Sequence, residues 1–235
     1  MAHKVKEPIR HYGRRKGKPL KAGRQSLLEK LLPQIRIEVT DIDTCLDPKV
    51  IFSPRPKSVF LEIGFGGGEH LATLAAANPD AGFIGSEVFL NGVASMVRHV
   101  DKQDLTNVRI FNEDVRYLLP ILKSASLKRI FLLFPDPWPK ARHAKRRLIS
   151  PEILEEMARL LEDDGELRVA SDHPVYVRWT LLHGTKHPAF QWAAIGPEDW
   201  RTRPTDSAAT RYEEKALKEG RPPAYLTFRR RPRGE

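Results

Sequence analysis

Residues 58–80 have the sequence "SVFLEIGFGGGEHLATLAAANPD". The first residues form a short apolar run, and the last ones have helical periodicity and end in an Asn-Pro-Asp turn. Four glycines lie between these two parts, among them Gly64, Gly66 and Gly68. The stretch therefore predicts a strand, a glycine-rich turn and a helix, which together make the first unit of a parallel sheet.

The same alternation continues along the chain. Helical segments separate four further strand candidates, "GFIGSEVF", "NVRIFNED", "RIFLLFPD" and "GELRVASD". One of the helices, "SPEILEEMARLLEDDG", has Ser150 before Pro151, which is typical of a capped helix start. This pattern predicts a doubly wound α/β fold: a mostly parallel sheet covered on both faces, with ligands at the carboxyl ends of the strands.

The pattern is weaker after Asp172. Two segments there, "AFQWAAIG" and "AYLTFRRR", are strand candidates. Both lie at the C-terminal end of the chain, beyond the last βα unit. We expect them to pair antiparallel at the edge of the sheet.

The N-terminal part is strongly basic. Between Lys4 and Arg24 there are nine Lys or Arg residues and one acid, Glu7. This composition predicts a mobile basic arm over residues 1–35, followed by a single domain over residues 36–235; a solvated tail without a task is the alternative. Residues 26–35, "SLLEKLLPQI", predict a helix with Ser26 as its N-cap and its end near Pro33.

The whole chain carries an excess of positive charge. Its 40 Lys and Arg residues against 30 Asp and Glu residues give a formal net charge of +10. Such a protein is attracted to polyanions, and nucleic acid is the first candidate.

Other composition features exclude several classes of protein. The single cysteine, Cys45, excludes an internal disulfide and a zinc site built on several thiolates. The eight His residues have no metal-ligand spacing, so no metal is predicted. No apolar run approaches the ~18 residues that span a bilayer, and no signal peptide is evident. A cytoplasmic location is therefore expected.

The glycine-rich turn predicts a nucleotide-like ligand without phosphates. The dinucleotide fingerprint would need Gly or Ala at position 69, where this chain has Glu69. A carboxylate at that helix start repels a pyrophosphate, which disfavours a nicotinamide-dependent dehydrogenase.

Three acidic residues lie at the ends of the first three predicted strands. Glu62 and Glu87 end the first two, and Asp114 follows the third. An acid in the position of Glu87 can accept hydrogen bonds from both hydroxyls of a ribose, and Asp114 could accept one from an adenine amino group. Turn solvation for Glu87 and a helix N-cap for Asp114 are the alternatives. A cationic adenosine derivative suits these carboxylates, and S-adenosylmethionine is the obvious candidate.

The fourth strand leads into "FPDPWPKARHAKRR", residues 134–147. Two prolines hold the backbone around Asp136 stiffly, and Trp138 either offers a face on which a base can stack or simply covers the sheet edge. The cations that follow form either a phosphate-binding surface or a solvated charge run: Lys140, Arg142, His143, Lys145, Arg146 and Arg147.

Together these segments resemble the bacterial tRNA (guanine-N7-)-methyltransferases. The turn "EIGFGGGEH", the segment "FPDPWPKARHAKRR" and the C-terminal "TRYEEKALKEG", residues 210–220, are similar to that family's cofactor loop, signature segment and substrate motif. The resemblance implies a class I S-adenosylmethionine-dependent methyltransferase fold. It also implies methyl transfer to N7 of a guanine in the variable loop of tRNA.

The resemblance assigns roles to residues of this chain. Asp136 matches the family's proposed catalytic residue. The positions expected to bind the cofactor are Glu62, Gly64, Gly66, Gly68, Glu87, Asp114 and Asp136. Those expected to bind tRNA are Lys140, Asp172, Thr210, Arg211, Tyr212 and Glu213, and the basic turn adds Arg142. Family members often carry Arg where this chain has Ser207.

Two other functions remain open from the sequence. A methyltransferase of the same fold could act on another nucleic acid or on a protein. A noncatalytic RNA-binding module could retain the fold without its activity, although loss of the glycines or of Asp136 would be expected in that case, and neither is lost.

Overall fold

The computed structural model describes residues 12–39 and 45–234. Within them the sheet has seven strands: β1 (Ser58–Ile63), β2 (Ala81–Ser86), β3 (Val108–Phe111), β4 (Leu127–Leu133), β5 (Leu161–Ser171), β6 (Phe190–Trp192) and β7 (Ala224–Arg230). Their order across the sheet is β3-β2-β1-β4-β5-β7-β6. Strand β7 runs antiparallel to both of its neighbours, and the other pairs are parallel. The predicted fold class, including the antiparallel C-terminal edge, is confirmed.

The same residues form eight α-helices: α1 (Ala22–Ile35), α2 (Glu69–Ala77), α3 (Leu90–Lys102), α4 (Val115–Leu118), α5 (Pro151–Leu160), α6 (Pro174–Gly184), α7 (Glu198–Arg201) and α8 (Arg211–Lys218). Two 3-10 helices span Leu119–Ile121 and Ala141–Arg146. Helices α6, α7 and α8 lie in the part of the chain where the sequence pattern is weak. In the described part of the chain, no helix combines the length and the apolar character needed to cross a bilayer.

The core lies on both faces of the sheet. In β1, Leu61 and Ile63 belong to the apolar cluster that includes residues of α4, α5 and α6. On the opposite face, Phe60 stacks on Phe83 of β2 at 5.0 Å between ring centroids, under α1, α2 and α3. This alternation of side chains along each strand places helices on both faces and leaves the carboxyl edge open for a site.

Helix α1 differs from its prediction at both ends. It begins at Ala22 with Lys21 at the N-cap, so Ser26 lies inside the helix, and it continues through Pro33 to Ile35. A proline in the last turn removes one backbone hydrogen bond, but Leu28 and Ile35 are buried against α3 and β3 and hold the turn in place. Residues 22–35 therefore pack with the domain. Residues 1–11 of the predicted arm lie outside the described residues, and its mobility stays a prediction.

Replacing two serines with alanine should change the stability of the protein in opposite directions. The Ser150 side chain caps α5 by accepting from the N–H of Ile153 at 3.3 Å, whereas Ser26 is exposed inside α1. Ser150→Ala should lower the free energy of unfolding by about 1 kcal/mol, because the first turn loses its cap. Ser26→Ala should raise it slightly, because Ala is the better helix former.

Urea denaturation of both variants beside the wild type measures the two changes. A loss of stability in Ser26→Ala as large as that in Ser150→Ala would indicate that Ser26 caps α1, and would contradict a helix start at Ala22.

Candidate active site

The glycine-rich turn between β1 and α2 has a backbone that few other residues could adopt. Gly64, Gly66 and Gly68 have φ angles of 70°, 57° and 82°. At Gly66 a side chain would also have to avoid the ring of Tyr212, which a Cβ would approach to 3.0 Å. From the other side, Gly92 of α3 lies so close that a Cβ there would collide with the Gly66 carbonyl oxygen. The turn is thus enclosed by α3 and by the start of α8.

Glu87 connects this turn to the end of β2. Its Oε2 accepts from the N–H of Gly66 at 2.8 Å, and its Oε1 accepts from the N–H of Phe89 at 2.9 Å. Turn solvation, the alternative for this residue, is therefore not its role; the carboxylate fixes the backbone of two segments.

Asp114 caps helix α4, which is the alternative role that the sequence predicted for it. It accepts from the backbone N–H of Arg116 at 3.1 Å and from the guanidinium of the same residue at 2.9 and 2.7 Å. The hydrogen bonds to Asp114 raise the pKa of Arg116. The pair lies at the carboxyl end of β3. Asp114 therefore has its predicted position at the sheet edge and also a capping role.

Glu62 lies below the surface in a chain of polar side chains. It is 2% exposed, and its Oε2 lies 2.7 Å from Nδ1 of His70, which is 1% exposed. The other ring nitrogen, Nε2, lies 3.0 Å from Oγ of Ser207. Sequence reasoning missed His70, although a histidine at the start of the helix that follows the glycine turn, eight residues after a strand-end acid, was a usable signal.

The turn that carries Asp136 is held from inside by Arg147. Two non-glycine residues flanking Asp136, Phe134 and Trp138, have φ angles of 50° and 43°. Arg147 donates from Nε to the Pro137 carbonyl at 3.1 Å and from Nη2 to the Trp138 carbonyl at 2.9 Å. These bonds hold a backbone that would otherwise relax. Asp136 itself is exposed.

The assignment of Arg147 to a phosphate-binding surface was therefore wrong. The residue is 7% exposed, and its guanidinium lies 4.6 Å from the ring centroid of Trp179. Carbonyl oxygens and an aromatic face replace water around the charge, which makes burial of this arginine acceptable. The sequence places it in one run with cations that do face solvent, and no pattern in that run distinguishes it.

Trp138 is surrounded by side chains. The guanidinium of Arg146 lies 4.9 Å from its ring centroid and 4.8 Å from that of Tyr12. The rings of Tyr12 and His143 meet Trp138 edge-on at 6.3 and 5.9 Å. Arg146 covers one face of the ring, so a base could stack on that face only if Arg146 moved. Lys140, Arg142 and Lys145 remain exposed on the same turn.

Residues 12–18 lie along the carboxyl edge of the sheet. Beyond the contact of Tyr12 with Trp138, the carbonyl of Arg15 accepts from the N–H of Leu90 at 2.9 Å. The side chain of Asn91 accepts from the N–H of Gly17 at 2.8 Å and donates to the carbonyl of Lys18 at 2.8 Å. The basic N-terminal segment thus runs from the Asp136 turn to the start of α3.

The C-terminal motif divides into internal and exposed residues. Thr210 caps α8 by accepting from the N–H of Glu213 at 3.0 Å. Glu213 is 5% exposed and accepts from Arg203 at 3.0 Å and from the hydroxyl of Tyr225 at 2.9 Å. Both residues, predicted as substrate contacts, build the helix start from inside.

Arg211 and Tyr212 face the glycine-rich turn instead. Arg211 forms an ion pair with Glu69, and Tyr212 is 50% exposed beside Gly66. Partial burial raises the pKa of Tyr212, and the negative charges of Glu87 and Asp136 add to this effect. The phenol therefore lies within electrostatic reach of acids from two strand ends, so the structure brings the predicted cofactor turn and the predicted substrate motif together.

Asp172, the remaining predicted substrate contact, follows β5 and accepts from Nε of Arg221 at 2.8 Å. Arg221 is also paired with Glu219, and both partners raise its pKa, Asp172 first. Across residues 12–39 and 45–234, no group of three or more His, Cys, Asp or Glu residues is arranged to hold a metal ion.

Comparison with known proteins gives a family and a fold. A family model described as "Putative methyltransferase" matches residues 56–226. A protein named tRNA (guanine-N(7)-)-methyltransferase from Rhodospirillum rubrum is 57% identical over 99% of this chain and 92% of its own length. Proteins of the same name from Paramagnetospirillum magneticum and Brucella anthropi are 52% and 45% identical, over 97% and 98% of this chain and 95% and 98% of their own lengths.

Two solved structures are similar in fold. An rRNA methylase from Streptococcus thermophilus has a TM-score of 0.50 at 12% identity, covering 74% of this chain and 87% of that one. A structure described as an antibiotic related methyltransferase has a TM-score of 0.50 at 14% identity, covering 90% of this chain and 95% of that one. The shared fold is that of class I S-adenosylmethionine-dependent methyltransferases.

Two arginines of the same basic run should respond differently to substitution. Arg147→Met should lower the free energy of unfolding by about 2 kcal/mol, because two carbonyls lose a charged donor. Arg142→Met should leave stability almost unchanged, since Arg142 is exposed. Thermal unfolding followed by circular dichroism compares them, and equal effects of the two substitutions would contradict the internal role of Arg147.

Proposed function

The chain belongs to the tRNA (guanine-N7-)-methyltransferase family, and on that premise we propose that it transfers a methyl group from S-adenosylmethionine to N7 of a guanine in the variable loop of tRNA. The observation that carries the proposal is the meeting of two motifs: Tyr212 of the C-terminal motif lies beside Gly66 of the glycine-rich turn. A methyl donor and a methyl acceptor have to meet in the same way.

The acids at the strand ends fit the proposed cofactor. Glu87 directly follows β2 and Asp114 follows β3, and carboxylates at these two strand ends can accept from the hydroxyls of a ribose and from an adenine amino group. Glu69, paired with Arg211, occupies the start of α2 where a pyrophosphate would otherwise bind. The turn with Gly64, Gly66 and Gly68 lets the backbone approach the ligand closely.

Little acid–base chemistry is required of the protein. When bound, S-adenosylmethionine supplies an electrophilic methyl group on a positively charged sulfur. Guanine N7 has a free lone pair and loses no proton when it is methylated, so no strong general base is needed. The protein's contribution is then position and electrostatics.

Asp136 has the position and the charge for this role. Its exposed carboxylate stands on a turn that Arg147 and two prolines hold still. It can accept from N1–H and the amino group of guanine, and its negative charge opposes the positive charge that develops on the ring during transfer. Both interactions become stronger as the methyl group moves.

The tRNA is held by cations and by an aromatic surface. Lys140, Arg142 and Lys145 are exposed beside Asp136 and can contact the phosphate backbone without reading sequence. Removing a base from its stack costs a few kcal/mol, and the half-exposed ring of Tyr212 can offset part of this cost by stacking. Thr210 and Glu213 would act indirectly, by building the helix start that presents Arg211 and Tyr212. The relatives of the same name come from bacteria, whose tRNA is in the cytoplasm, and we propose the same location for this reaction.

Replacing Asp136 should affect catalysis far more than cofactor binding. In Asp136→Asn, we expect kcat for methyl transfer to folded bulk tRNA to fall by about 100-fold or more, because charge stabilisation is lost in the transition state. The dissociation constant of S-adenosylmethionine, measured by calorimetry, should change less than about threefold.

Labelled S-adenosylmethionine and mass spectrometry of the digested tRNA give the rate and identify the product, which should be 7-methylguanosine. Asp101→Asn, on the exposed end of α3, is the control and should behave as the wild type. An unchanged kcat in Asp136→Asn would remove the catalytic role, and a different methylated nucleoside would remove the proposed acceptor.

The double substitution Lys140→Gln with Arg142→Gln should raise KM for tRNA and reduce its dependence on salt. Each phosphate contact that is lost should lower the slope of log K against log salt by about 1. The double substitution Lys102→Gln with Lys128→Gln, at exposed positions at the end of α3 and near the amino end of β4, is the matched control because it removes the same number of positive charges. An equal effect of the control on KM and slope would show that net charge, and not the basic turn, attracts the tRNA.

A further inference from the structure

Glu62 and His70 form a buried pair whose hydrogen-bond direction can be assigned. Their side chains are 2% and 0% exposed, and the ring of His70 meets that of Phe131 edge-on at 4.9 Å. A carboxylate only accepts hydrogen bonds, so Nδ1 of His70 carries the proton and donates to Oε2 of Glu62. Nε2 makes the second contact, with the hydroxyl of Ser207, a group that can both donate and accept.

Ser207 belongs to a segment that is tied to the sheet beside the site. Its carbonyl accepts from Arg203 at 2.7 Å. The neighbouring Asp206 accepts from Arg129 at 2.9 Å and from Arg168 at 2.6 Å, and these arginines, Arg168 first, lower its pKa. The segment continues through Thr210 into α8, which presents Arg211 and Tyr212 to the glycine-rich turn.

The chain Glu62–His70–Ser207 therefore joins the two halves of the site. His70 and Ser207 are 137 positions apart in the sequence, and one imidazole contacts both the strand-end acid of β1 and the segment before α8. Each ring nitrogen has a separate task, because Nδ1 contacts Glu62 and Nε2 contacts Ser207.

We propose that His70 is a positioning residue for both substrates: Nδ1 fixes the carboxylate of Glu62 at the cofactor turn, and Nε2 fixes residues 203–213, with Arg211 and Tyr212, for the tRNA. The inference rests on the proposed function and goes beyond it, since it assigns a role to a residue that touches neither substrate. A bond to one oxygen prevents rotation of the Glu62 carboxylate, and the bond to Ser207 adds a tie to a segment that is otherwise held by Arg203 and Asp206.

Two isosteric substitutions separate the tasks. The amide of Asn reaches the place of Nδ1, and that of Gln reaches the place of Nε2. His70→Gln should therefore raise the dissociation constant of S-adenosylmethionine about tenfold, the effect of losing one bond to a charged group, and leave KM for tRNA within about threefold. His70→Asn should do the reverse, with a KM for tRNA raised about fivefold and almost normal cofactor binding.

The hydroxyl of Ser207 provides an independent test. Ser207→Ala should match His70→Asn, and Ser207→Thr, which keeps the hydroxyl, should restore KM for tRNA to within about twofold of the wild type. This pair decides the question even if a substitution of His70 prevents folding, because Ser207 is only partly buried.

The full-length chain is used throughout, with calorimetry for the cofactor, initial rates for tRNA and thermal unfolding for stability. One outcome is that the wild type binds S-adenosylmethionine and methylates tRNA, while both His70 variants lose both functions in proportion to their loss of stability. His70 would then have only a structural role, and the inference would fail while the proposed function stands. Wild-type values in both His70 variants would also overturn it. A wild type that binds no S-adenosylmethionine would remove the proposed function together with the inference.

Discussion

The backbone of the glycine-rich turn is held from three sides, and the geometry of the whole carboxyl edge depends on it. The carboxylate of Glu87 accepts a hydrogen bond from the N–H of Gly66. Helix α3 approaches the Gly66 carbonyl at Gly92, which has no side chain, and the ring of Tyr212 lies on the remaining side of Gly66. A turn fixed in this way is already ordered before a ligand arrives, so less binding free energy is lost in ordering it. The same contacts set the distance from the first strand ends to the substrate motif.

Several acidic and basic side chains at this edge are paired with one another. Each ion pair within the protein, such as Arg211 with Glu69 or Arg221 with Asp172, uses one charge of each sign, so pairing leaves the net charge of +10 unchanged. Part of this charge lies in residues 12–18 and in the basic turn, both of which border the candidate site. Attraction of a polyanion is therefore a property of this edge as well as of the chain as a whole.

Local sequence patterns predicted the first five strands because these strands are buried on both faces. All six residues of β2 are buried, and such continuous apolar runs between glycines and prolines leave few alternatives. Helix α6 was not predicted, since apolar side chains occur around its whole circumference and give little helical periodicity. The start of α1 was misplaced because Ser26 is a good cap by type, and residue type does not tell which helix start the tertiary contacts select.

For the site, sequence reasoning identified which segments meet but not how each side chain is used. The chemistry of a residue depends on its exposure, and exposure within a short irregular turn follows no period. Lys140 and Arg147 belong to one basic run, yet the first faces solvent and the second fills the space under the Asp136 turn. Contacts between distant segments are hidden for the same reason: nothing in the sequence around His70 indicates Ser207, because the loop that brings them together is positioned by Asp206 on two strands of the sheet. Local sequence therefore determines the frame of this site, and long-range packing decides which of its charges act on a ligand and which hold the frame.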